Sequence, residues 1–113
     1  MKKLLITVIL LGVPLQAASV KGKDGYLPGY WRVVSQNSDG SFDPICEHSP
    51  YAVFSMLTLV CSDRESAGGD ARIDGPSGPL SGWRVGVPDG LQYRTVCSRL
   101  YADMAESVLI CRE

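Results

Sequence analysis

The sequence predicts a small β-rich or α+β domain, with antiparallel strands that end in a C-terminal meander and two disulfides that staple it. Three observations predict this. The chain has 113 residues, 45% of them hydrophobic, which is enough for one small core and not for two. Its β-branched and aromatic runs are short and separated by glycine, proline, asparagine and aspartate. Four cysteines, Cys46, Cys61, Cys97 and Cys111, follow an apolar leader, and an even cysteine count in a short exported chain reads as a disulfide framework.

The leader comes first. Lys2 and Lys3 precede an apolar run of about twelve residues broken by Thr7, Gly12 and Pro14, and Gln16-Ala17-Ala18-Ser19 offers small residues for cleavage. Residues 1–19 therefore read as a signal peptide, cut ahead of Val20 or one or two bonds earlier. A transmembrane helix needs roughly twenty apolar residues, so stable membrane insertion after cleavage is not expected. The reading places the protein in the periplasm or the extracellular space.

Residues 20–29 contain Gly22, Gly25, Pro28 and Gly29, so a flexible N-terminal arm is expected before a single disulfide-stabilised domain over residues 30–113. Tyr30-Trp31-Arg32-Val33-Val34-Ser35 reads as a first strand, with Trp31 and Val33 inward, and ends at the turn Asn37-Ser38-Asp39-Gly40. The apolar run 51–61 has no periodicity that separates helix from strand. Ser49-Pro50 resembles a helix start, whereas Thr58-Leu59-Val60-Cys61 favours a buried strand, and the second reading is preferred. Five glycines and two prolines make residues 67–82 a loop, with at most Ala71 to Ile73 pairing.

The sharpest local signal is the hairpin over residues 83–97, turned by Pro88-Asp89-Gly90. A three-residue loop pairs Val87 with Leu91, Val85 with Tyr93 and Trp83 with Thr95 on a core face. It also sets Arg84 opposite Arg94, a like-charge pair that calls for something negative between them. Cys97 and Cys111 lie symmetrically about Met104, which suggests a second hairpin stapled across its strands and leaves Cys46 for Cys61. Closing loops of about 15 residues stabilises by roughly 3 kcal/mol each.

Catalytic equipment is sparse. His48 is the one histidine, and Ser77 lacks the spacing of a nucleophile elbow. No Cys-x-x-Cys pair supports a zinc or thioredoxin reading, and the oxygen-rich run 37–43 reads as a turn rather than a calcium loop. No cofactor or metal is expected. A net charge of -1 argues against nucleic acid as a partner.

The leading functional expectation is an exported, non-enzymatic protein-binding module: an inhibitor, an immunity-type protein or an accessory protein. Its partner would be another protein outside the cytoplasm. Arg84 and Arg94 on the outer face of the hairpin and the aromatic residues Tyr26 and Tyr30 are the candidate contacts. The alternatives are a small exported hydrolase using His48 with an acid, and a structural component of an envelope assembly.

Overall fold

The computed structural model describes residues 18–66 and 68–113. Twelve short strands make up the fold, and among the described residues no α-helix accompanies them. They form two five-stranded sheets and a two-stranded ribbon.

The ribbon pairs β1 (Ser19–Gly22) with β7 (Ala71–Asp74). Ala18, Val20, Ala71 and Ile73 point into the core, while Lys21 and Arg72 face water, as the two-residue side-chain period of a strand requires. Residues 1–17 of the expected leader lie outside the described residues; Ser19 opens this ribbon and Ala18 is buried just before it. The expectation of a loose arm over residues 20–29 is corrected here. After β1 the chain forms β2 (Gly25–Tyr26), and Leu27 is wholly buried, its N–H donating to the Pro50 carbonyl at 3.0 Å. The glycines of this segment permit close approach rather than disorder: a Cβ on Gly25 would meet the Asp70 backbone nitrogen at 2.9 Å. Ser49, which resembles a helix cap in sequence, is buried and caps no helix; its hydroxyl donates to the Leu27 and Pro28 carbonyls.

One sheet runs in the order β10, β9, β6, β5, β2, and the other in the order β4, β3, β12, β11, β8. The first contains β5 (Tyr51–Val53), β6 (Thr58–Val60), β9 (Arg84–Asp89) and β10 (Gln92–Cys97) beside β2. The second contains β3 (Arg32–Gln36), β4 (Phe42–Pro44), β8 (Gly78–Pro79), β11 (Leu100–Asp103) and β12 (Val108–Cys111). Each is built on two antiparallel hairpins joined through a parallel central pair, β6 with β9 in one and β3 with β12 in the other.

The expected buried strand in residues 51–61 is two strands, β5 and β6. A 3-10 turn at Phe54–Met56 divides them, and Leu57 closes it in the left-handed region at φ 49°. Asp24 accepts the Phe54 N–H at 2.9 Å. The run is continuously apolar, so nothing in its pattern marks the reversal. The last part of the chain forms two successive hairpins, β9–β10 and β11–β12, which lie in different sheets.

Inner-face residues of both sheets meet in one cluster: Ala52, Leu59, Val85 and Cys97 from the first, Val33, Leu100, Ala102 and Leu109 from the second. Trp31 and Trp83 complete it, as the inward reading of Trp31 expected. Two disulfides, Cys46–Cys61 and Cys97–Cys111, confirm the expected pairing. Cys97 and Cys111 do not lie on neighbouring strands, however. They belong to β10 and β12, so this bond ties one sheet to the other. Cys46 just past β4 and Cys61 just past β6 make the second tie.

Candidate functional site

The β9–β10 hairpin fixes where its polar and aromatic side chains point. Asp89 pairs with Gln92, leaving Gly90-Leu91 as a two-residue turn in place of the expected three-residue loop. Gly90 has φ 67° at the first central position, the requirement of a type II′ turn. Pro88 is accommodated inside β9 because β6 ends its pairing at Gly86, so no neighbour on that edge asks for the missing N–H.

This register overturns the expected one. Arg94 faces Val87 and Tyr93 faces Pro88, while a bulge between Thr95 and Cys97 places Cys97 opposite Val85. Val85 is fully buried, but Tyr93 is 43% exposed and Thr95 faces solvent. The Arg84/Arg94 like-charge pair does not exist, because the two side chains leave β9–β10 on opposite faces. Arg84 is held by Thr58 instead: its Nε donates to Thr58 Oγ1 at 3.0 Å, and that hydroxyl donates to the Met56 carbonyl at 2.9 Å.

The outer face of the first sheet is aromatic. Pairing sets Tyr26, Tyr51, Val60, Gly86 and Thr95 in one row across all five strands, with Pro88 and Tyr93 beside it. Tyr26 and Tyr51 meet edge to face at 5.1 Å. The Ser62 hydroxyl, and then the Arg64 guanidinium, hold the Tyr26 phenol below its ordinary pKa. Gly86 lets its neighbours close over the row, since a Cβ there would press on Thr58 Cγ2 at 3.2 Å and Tyr93 Cβ at 3.3 Å. Gly86 and Val60 are buried at the middle of the row, and the exposed rings are Tyr51 at one end and Tyr93 at the other. Tyr30, the remaining aromatic candidate, is 65% exposed and tilted over Trp31 in the connection between the sheets, apart from this row.

A second concavity lies where the chain crosses between sheets. The segment from β8 to β9 and the segment from β10 to β11 run beside each other, joined by the Leu80 N–H to the Leu100 carbonyl at 2.9 Å. They enclose about 610 Å³ lined by Pro79, Leu80, Ser98, Arg99, Tyr101 and Arg112, among others. The Arg112 guanidinium sits 4.4 Å above the Tyr101 ring, and the Arg112 N–H donates to the Arg99 carbonyl at 2.8 Å. Sequence reasoning missed Tyr51, Tyr93, Arg99 and Arg112. One signal was available for the last two: the cysteines paired by spacing each precede an arginine by one or two residues.

The other candidates do not gather into a site. His48 is half-buried and, among the described residues, hydrogen-bonds no carboxylate. Ser77 Oγ accepts the Met104 N–H at 2.8 Å. The Asp39 carboxylate is held below its ordinary pKa by the Ser41 hydroxyl and N–H, closing the expected turn between β3 and β4. Among the described residues no group of metal-ligating side chains converges, and no helix is long and apolar enough to cross a membrane. Comparison with protein families, curated proteins and solved structures gives no match to the chain.

Proposed function

We propose that the protein is an exported, disulfide-stabilised binding module that acts by engaging another protein in the periplasm or the extracellular space. Two intramolecular disulfides fit an oxidising compartment, and the basic, apolar leader over residues 1–19 supports delivery there. The observation that carries the binding reading is the exposed tyrosine row. Tyr26, Tyr51 and Tyr93 stand on the face opposite the buried row Ala52, Leu59 and Val85, so the scaffold sets the side of the sheet they occupy. Tyrosine and arginine are enriched at the energetic centres of interfaces because they combine large contact area, little rotamer entropy and a polar tip. Arg84, fixed by Thr58 on the same face, adds a charged contact at the margin. Arg94 is retained only as an exposed cation of the opposite face, and Tyr30 as an isolated exposed ring.

Capture tests this reading. The oxidised protein without its leader is immobilised, exposed to native envelope or extracellular extract, and compared with a Tyr51→Ala, Tyr93→Ala variant of unchanged thermal stability. A stoichiometric partner that the variant loses supports the module; a partner held equally by both moves the contact off this face. Loss of either ring is expected to weaken binding by about 2 kcal/mol or more, the threshold of a hot-spot residue.

A further inference from the structure

We propose that the cleft between the two sheet-crossing segments is a carboxylate-binding site, suited to a carboxyl group on a short aliphatic stem such as an acidic side chain. This site is separate from the tyrosine row and does not depend on it.

The disulfide builds the cleft. Cys97 immediately precedes Ser98-Arg99 and Cys111 immediately precedes Arg112-Glu113, so the bond that ties β10 to β12 brings both arginines to one cavity. The 2.8 Å bond from the Arg112 N–H to the Arg99 carbonyl fixes the two segments in register. Neither guanidinium forms an ion pair within 4.0 Å, the one such pair among the described residues joining Arg72 to Asp74, although the Glu113 carboxylate lies near enough to Arg99 to be stabilised by its charge. A chain of net charge -1 thus places two arginines at a single concavity, where Glu113 is the carboxylate already drawn to Arg99. Tyr101 holds the Arg112 guanidinium by its face, which leaves the edge donors of the planar fork free for an anion.

The chemistry of the remaining wall points to a carboxylate in particular. Ser98 already binds one: its N–H and its Oγ–H both donate to a single oxygen of the Glu113 side chain. Those two donors and Arg99 depress the Glu113 pKa, so the local environment favours a charged carboxylate over a neutral acid. Glu113 is exposed and can swing away, so it marks the position an incoming carboxylate would take on Ser98 while the arginines complete its contacts. Pro79, Leu80 and Leu100 supply apolar wall for an aliphatic stem.

The test is a titration of the oxidised, ¹⁵N-labelled protein followed by amide chemical shifts. Three probes are used at matched ionic strength: succinate, an end-blocked peptide of three glutamates, and the same peptide with glutamines. Saturable shifts of Ser98, Arg99, Leu100 and Arg112 are expected with carboxylate probes and not with the glutamine peptide. Response to the glutamate peptide alone assigns the site to acidic segments of a protein, and equal response to succinate assigns it to small free acids; both support a carboxylate site. Arg99→Gln with Arg112→Gln should lower the affinity by about tenfold or more, the loss of a charge-assisted hydrogen bond. Both residues are exposed, so an otherwise unchanged spectrum verifies the fold. Glu113→Gln should raise the affinity, because the internal competitor is gone. The proposal is overturned if no carboxylate probe gives saturable shifts, if the glutamine peptide binds equally, or if the double arginine variant binds as the parent does.

Discussion

Glu113 and Tyr26 show how an exposed group acquires an unusual ionisation from one neighbour's hydrogen bond. The Ser98 hydroxyl and N–H stabilise ionised Glu113, so its folded pKa lies below the ordinary glutamate value. For an acid with a depressed pKa, the contact is fully present above the ordinary value and is lost as the pH falls through the depressed one. The Ser98 amide shift should therefore titrate with a midpoint below that of a free glutamate, and Ser98→Ala should move the midpoint back upward. A midpoint at the ordinary value would show that Ser98 does not hold the carboxylate in solution. Tyr26 follows the same logic on the phenol: Ser62 first, then Arg64, lowers its pKa. An ultraviolet titration should find one tyrosine ionising early, and Ser62→Ala should delay it. Neither residue was marked by composition, since the partners are 15 and 36 residues away in sequence.

At the scale of the element, strands were legible where their ends carry turn chemistry and illegible where they do not. Asn37-Ser38-Asp39-Gly40 announces the β3–β4 turn, and Asp39 makes the local bonds such a turn uses. The β9–β10 hairpin was equally plain from Pro88-Asp89-Gly90, yet its register was not. Gly90 serves a two-residue as well as a three-residue loop, and the partner of Tyr93 changes from Val85 to Pro88, an odd shift that moves Tyr93 from the core side to the solvent side. The two registers have different energetic consequences. With Tyr93 outside and 43% exposed, Tyr93→Ala should cost less than about 1 kcal/mol in denaturant unfolding, whereas a buried aromatic would cost about 3–5 kcal/mol. Val85→Ala, at a fully buried position, should cost about 2 kcal/mol. A larger loss at Tyr93 than at Val85 would restore the three-residue loop. The reversal between β5 and β6 had no such signal, because Leu57 adopts a left-handed conformation that its residue type does not advertise.

Across the whole molecule, the pairing of the cysteines was legible from symmetry in the sequence, and their placement in space was not. Spacing describes how far apart two residues lie along the chain. Whether β10 and β12 belong to one sheet depends on the β3–β12 and β6–β9 parallel pairs, which join residues about 25 to 75 positions apart. Because both bonds run between sheets, each holds the two layers of one core together. The loops they close span 15 and 14 residues, worth roughly 3 kcal/mol each in the chain-entropy model, against a total stability of about 5–15 kcal/mol for a domain. Replacing either cysteine pair by alanine should cost about 2–5 kcal/mol, and replacing both should unfold the domain at ordinary temperature. The two single-pair variants should differ in function. Without Cys97–Cys111 the segments carrying Arg99 and Arg112 lose their tether, whereas Cys46 and Cys61 border a different concavity with Glu47 and Asp63. Under conditions where both variants remain folded by circular dichroism, carboxylate binding should be lost with the first pair and kept with the second. Equal binding by both would mean that backbone hydrogen bonding between Arg112 and Arg99 alone sets the cleft, and the disulfide would then act on stability only.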